Sequence, residues 1–169
     1  TQIGSGKIID MVIQAVELPR NNLVQWQSRY GDEKRPHQPL YDAQGDNAAC
    51  EKAESCLYRL YRSKETERAF AELTEIFGRV YPMLAYLFFL KDRSRFLPIA
   101  PKTFEKSFAY LGVNFKASGQ CSWENYDSFN RIILQIRAML SEQLLCEVSP
   151  LDAHSFVWML SRQMEKSDA

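Results

Sequence analysis

The sequence predicts an all-α fold: an irregular bundle of six to eight helices forming a single domain over residues 1–169. Three observations carry this expectation. Apolar residues recur at three- and four-residue steps along most of the chain, while the period-two alternation of strands is hard to find. Gly and Pro number only 7 each, and they fall between the periodic stretches, where they punctuate helices. The chain has 169 residues, 46% of them apolar, enough for one ordinary core that needs neither disulfide nor metal.

The elements follow in order. Ile8, Ile9, Val12, Ile13 and Val16 fall at helical spacing, and Pro19 ends that helix near Leu18. Asn22 to Tyr30 reads as a short helix, and Gly31 to Gly45, with Pro36 and Pro39, as a polar loop. Asp46 is a suitable N-cap for a helix reaching about Ser63, with Leu57, Tyr58, Leu60 and Tyr61 as its apolar face. Lys64 to Phe77 continues helically through Ala69, Phe70, Leu73, Ile76 and Phe77, until Gly78 and Pro82 mark a break. Tyr81 to Lys91 is apolar nearly all round and belongs in the core. Asp92 to Pro101 is a loop in which Phe96, Leu97 and Ile99 read as core anchors. Pro101 suits the first turn of a helix over Lys102 to Leu111, stopped by Gly112, and Val113 to Gln120 is irregular. Ser122 opens a long helix to about Leu145, striped by Tyr126, Phe129, Ile132, Ile133, Ile136, Met139 and Leu140. Ser149 as cap, Pro150 at the first position and Asp152 in the first turn start a last helix, which carries Phe156, Val157 and Leu160 to about Met164, with Trp158 expected in the core. Residues 1–6 and 165–169 are expected to be flexible.

Charge and composition narrow the function classes. The 21 basic and 21 acidic side chains cancel, which argues against a protein that coats nucleic acid but leaves room for a local basic face. Cys50, Cys56, Cys121 and Cys146 form no Cys-x-x-Cys pair, and the only histidines are His37 and His154, so the spacing of a structural zinc site is missing. No cofactor motif is present: there is no glycine-rich phosphate loop, dinucleotide fingerprint or His-Glu-x-x-His. No secretory leader is visible and no apolar run is long enough for a membrane span, so a cytoplasmic protein with reduced thiols is expected. The chain does not begin with Met, which suggests a trimmed or excised piece.

Four groups of residues invite a chemical reading. Trp26, Arg29, Tyr30, Lys34, Arg35 and His37 place aromatics beside cations, as base stacking and phosphate clamping require; a packed Trp26 among solvated charges is the plainer alternative. Lys91, Arg93 and Arg95 lead into a helix start bearing Lys102, Thr103 and Lys106, where cations, a hydroxyl and backbone N–H groups suit a phosphate. Trp123 and Tyr126 at another helix start are lesser candidates for base contact, with a capped, packed helix start as the alternative. Cys146, Asp152, His154 and Ser155 resemble fragments of a nucleophilic site, but adjacent helical residues diverge and no orienting partner is spaced for one. No catalytic residue and no metal ligand is assigned.

The segments Asn22–Trp26, Tyr86–Asp92, Arg95–Ile99, Thr103–Phe104, Cys121–Tyr126 and Asp152–Phe156 together resemble a helical module of bacterial modification-dependent restriction and phage-defence proteins. The resemblance covers Asn22 to about Leu160. It implies a recognition or assembly module that accompanies nuclease or motor domains and does not itself cut. Two functions are therefore expected in competition. One is a DNA-binding recognition module using the basic and aromatic residues above. The other is a protein-interaction module with no nucleic-acid role; an exposed apolar patch would favour it, as a contiguous basic face would favour the first. An enzyme on a helical scaffold ranks behind both, since no convergent titratable pocket is advertised.

Overall fold

The computed structural model describes residues 3–28 and 31–167, with side chains to Met164. Among these residues there are eight α-helices, one turn of 3-10 helix and no strand. The helices are α1 (Lys7–Val16), α2 (Gln38–Gln44), α3 (Asn47–Arg62), α4 (Thr66–Phe77), α5 (Tyr81–Lys91), α6 (Pro101–Tyr110), α7 (Trp123–Leu144) and α8 (Pro150–Ser167). The chain forms two compact units, Thr1–Leu84 and Ala85–Ala169. The division falls inside α5, so no linker composition announces it.

The first unit buries Ile9, Val12 and Val16 of α1, Leu40 of α2, Leu57 and Leu60 of α3, and Phe70 and Leu73 of α4. The start of α1 has an unusual cap. Gly6 occupies the N-cap in the left-handed region, φ 78°, which glycine adopts without a Cβ penalty, and it offers no capping side chain. The missing acceptor comes from α3. The fully buried Glu54 carboxylate accepts backbone N–H groups from Gly4 at 2.6 Å, Ser5 at 3.1 Å, Ile8 at 2.7 Å and Ile9 at 3.4 Å. An anion at a helix N-terminus satisfies the orphan donors and complements the dipole. The start of the chain, expected to be loose, is thereby tied down from Gly4. Arg59 of α3 reaches Glu72 of α4 at 2.9 Å and laces the two helices, and Arg68, one turn before Glu72 on α4, holds the same carboxylate at 3.1 Å.

Two expectations fail here. Asn22 to Ser28 forms bends instead of a helix: Asn21 donates its side-chain amide to the Val16 carbonyl at 2.8 Å and accepts from Leu23 N–H, a local turn that competes with helix. The supposed loop Gly31–Gly45 contains the 3-10 turn Asp32–Lys34 and then α2, whose only buried apolar residues, Leu40 and Ala43, are three apart and make too narrow a face to read by periodicity.

The second unit is rich in aromatics. Phe88, Phe96, Phe104, Phe108, Tyr126 and Phe129 are all buried, with Phe104 and Phe129 edge to face at 5.0 Å and Phe88 and Phe96 at 5.2 Å. The segment Phe96–Ile99 is a buried, non-helical strip, so its backbone polar groups need partners. Three side chains supply them. Asn130 accepts from Leu97 N–H at 2.9 Å, Tyr126 donates its hydroxyl to the Leu97 carbonyl at 3.0 Å, and His154 donates Nε2–H to the Pro98 carbonyl at 2.8 Å. Glu105 of α6 holds the next irregular stretch by accepting from the backbone N–H groups of Ala117 and Ser118. α8 packs on α6 and α7, and its backbone stays helical to Ser167, three residues past the expected end. Ser122 caps α7 by accepting from Asn125 N–H, as its position predicts.

Candidate interaction surface

The residues chosen from the sequence do not converge. Arg29 and Tyr30 lie outside the described residues. Trp26 is half-buried and meets the edge of His37, ring centroids 6.4 Å apart. His37 is fully buried, which corrects its reading as a contact residue: its Nε2 donates to Glu17 at 2.8 Å, and its Nδ1 has no hydrogen-bond partner among the described residues. Tyr41 donates its hydroxyl to the same Glu17 oxygen at 2.7 Å. Burial pushes the Glu17 carboxyl up, but the bonds from His37 and Tyr41 outweigh it and leave it below the ordinary range. Arg35 is paired with Asp32 at 2.7 Å and lies 3.6 Å from Glu17. Glu17, Arg35, His37 and Tyr41 form a polar cluster that anchors the 3-10 turn to the end of α1.

Tyr126 is the second correction. It is fully buried, its hydroxyl donates to the Ala85 and Leu97 carbonyls, and no ring face remains for a base. Trp123 is half-buried against Phe88 and Phe96. Thr103 is half-buried, and its backbone carbonyl accepts from Ser107. Of the cations, Arg93, Arg95, Lys102 and Lys106 are exposed, the last two one turn apart on α6. The Arg95 guanidinium lies 5.1 Å over the Phe96 ring. Lys91 is half-buried; burial first and the Arg95 charge second lower its pKa, with Asp92 opposing. Among the described residues the exposed cations of the predicted set are therefore Lys34 in the first unit and Arg93, Arg95, Lys102 and Lys106 in the second.

A different surface stands out. Trp158, expected in the core, is 37% exposed, with Arg162 stacked 4.8 Å over its ring. The inward face of α8 is made by Ala153, His154, Val157 and Ser161. Phe156, Val157, Trp158, Met159 and Leu160 are consecutive, and a helix turning 100° per residue sends such a run all the way round its axis. Val157 goes inward, and Leu151, Phe156, Trp158 and Met159 stay on the solvent side. The run was the available signal, and an inward reading of Trp158 missed it.

The end of α7, which precedes α8 in the chain, also carries exposed apolar side chains. Met139 and Leu144 are 65% and 62% exposed, and Leu145 is 92% exposed with a left-handed φ of 52°. Only the first half of α7 is buried, through Tyr126, Phe129, Asn130 and Ile133. The turn into α8 is nevertheless held, since Arg137 donates Nε–H to the Val148 carbonyl at 2.7 Å and Val148 N–H donates to Ser141. A held backbone presenting large apolar side chains to water has the make-up of a docking surface. Its aromatic and Met content matches what the centres of protein interfaces carry.

Among the described residues no cluster of His, Cys, Asp and Glu could hold a metal ion, and no helix is long and apolar enough to cross a membrane. Two shallow cavities of about 270 Å³ lie in the first unit, one among Asn21, Asn22, Gln25 and Trp26, the other over Ala43, Ala49 and Ala53 beside the Lys52–Glu75 ion pair. Compared with protein-family models, curated proteins and solved structures, the chain matches none.

Proposed function

We propose that this chain is a protein-interaction module, non-catalytic by itself, whose docking surface is the solvent side of α8 with the adjoining end of α7. The observation that carries the reading is the outward placement of Leu151, Phe156, Trp158 and Met159 on one helix whose opposite face is already buried. Water-exposed aromatics of this size lose free energy when covered, about 25 cal/mol per Å² of apolar area. The resemblance to recognition or assembly modules of bacterial defence proteins leaves room for this reading. Four free cysteines, three of them buried, fit a cytoplasmic setting. The test is a photo-crosslinking residue in place of Met159, with one in place of the exposed Glu67 of α4 as control, in the host cell. A discrete adduct from position 159 alone is expected. No adduct from position 159, or the same adducts from both positions, overturns the reading.

A second reading keeps a DNA contact, because Arg93, Arg95, Lys102 and Lys106 are exposed on the same unit. Under it, Arg95→Ala with Lys102→Ala weakens duplex binding by about 1–3 kcal/mol and flattens its salt dependence. Binding of labelled duplex DNA that this double variant leaves unchanged removes the basic residues from the reading.

A further inference from the structure

We infer that the occupant of the α8 surface is α8 of a second copy of this chain, paired antiparallel about a two-fold axis level with Val157. The inference rests on the interaction reading above and names its partner. A two-fold interface is isologous, so each residue meets the one equidistant on the other side of the axis, and the surface must complement itself. The outward residues of α8 do so. Asp152 stands five positions before Val157 and Arg162 five positions after, so Asp152 of each copy faces Arg162 of the other, twice. Phe156 and Trp158, one position either side and on opposite flanks of the helix, each meet their own counterpart across the axis, which gives one aromatic pair on each flank. At 1.5 Å rise per residue the charge pairs sit about 7.5 Å from the axis, on either side of a centre that Met159 occupies. Reversing the chain direction is needed for this match: in a parallel pairing Asp152 would face Asp152 and Arg162 would face Arg162. The other cavities and clusters offer no comparable complementarity. Arg162 is already stacked on its own Trp158, which holds its guanidinium beside the aromatic pair of that flank before any partner arrives.

Sedimentation velocity on the full chain, from low to high micromolar, tests this. The wild type is expected to pass from monomer to dimer. Arg162→Asp alone and Asp152→Arg alone each weaken dimerisation roughly tenfold by opposing like charges, and the double reversal restores it. Phe156→Ser with Trp158→Ser is expected to leave a monomer. Asp152 also accepts from Ser149 at the start of α8, so helix content is followed by circular dichroism in every variant. If the aromatic double variant does not fold, the charge-reversal series decides alone. A dimer that persists in the folded aromatic variant, or a double reversal that fails to restore association, overturns the inference. A wild type that stays monomeric also overturns it; a position-159 adduct would then belong to another protein, and the interaction reading would stand.

Discussion

Glu54 offers the most direct test of how the first unit is held. Glu54→Gln keeps the side chain's shape, so no cavity forms, and it replaces one acceptor oxygen by an NH2 group that can only donate. The native carboxylate divides its four N–H donors in two pairs: Gly4 and Ser5 on one oxygen, Ile8 and Ile9 on the other. Glutamine can serve one pair. Its best orientation turns the amide oxygen to the buried Ile8 and Ile9 and leaves the part-buried Gly4 and Ser5 facing a donor. Two bonds to a charged acceptor are then lost, each with a net worth of about 1.5–3 kcal/mol when buried, with water recovering part of the loss at the partly exposed pair. Losing the charge at the start of α1 adds about 0.3–1 kcal/mol from the helix dipole. Against these stands the relief of a buried charge, which by itself stabilises the variant. We predict a net loss of about 2–4 kcal/mol, which at this chain length is on the order of 4–16 °C in Tm. Urea unfolding followed by far-UV circular dichroism measures it. A variant within about 0.5 kcal/mol of wild type would show that burying the carboxylate cancels what its four donors return. A more stable variant would refute the capping argument outright.

Three other outcomes are expected. Leu145 holds a left-handed φ of 52° with its side chain almost wholly in water, so Leu145→Gly relieves backbone strain and is predicted to raise stability by up to about 1 kcal/mol, read by thermal unfolding; a fall of that size would mean the side chain packs. Burial first, and then the Glu72 charge, push the Cys56 thiol up to about 12, while Cys146 is exposed, so a thiol reagent should label Cys146 first in the native protein and Cys56 only on unfolding, and fast labelling of Cys56 would refute its burial. His154 is held below the usual imidazole range by burial, against its bond to Pro98; the unfolded chain therefore binds its proton more readily, and the stabilising share of His154 is complete above about pH 6.5 and is lost as pH falls toward the folded pKa. His154→Gln should reduce that pH dependence, and urea midpoints at neutral and mildly acidic pH that shift equally in both proteins would remove His154 as its source.

Much of the fold could be read from local patterns. Pro101 at the first turn of α6, Asp46 and Ser122 as caps, and the stripe of Phe129 and Ile133 all act within a few residues of where they stand, so sequence alone determined that these helices form and nearly where they begin. The apolar run Phe96, Leu97 and Ile99 between charged residues likewise declared itself as core. Tertiary structure decided the rest, because it turns on partners distant in sequence. Glu54 caps a helix 46 positions before it, and Asn130 and His154 satisfy the Phe96–Ile99 strip from 33 and 56 positions away. His37 and Tyr126 looked like contact residues because a polar aromatic is ambiguous until its hydrogen bonds are known; theirs point inward. The candidate surface was half legible. Five consecutive apolar residues on a helix must leave some outside, but only the packing of α8 on α6 and α7 determined that Val157 went in and Trp158 stayed out.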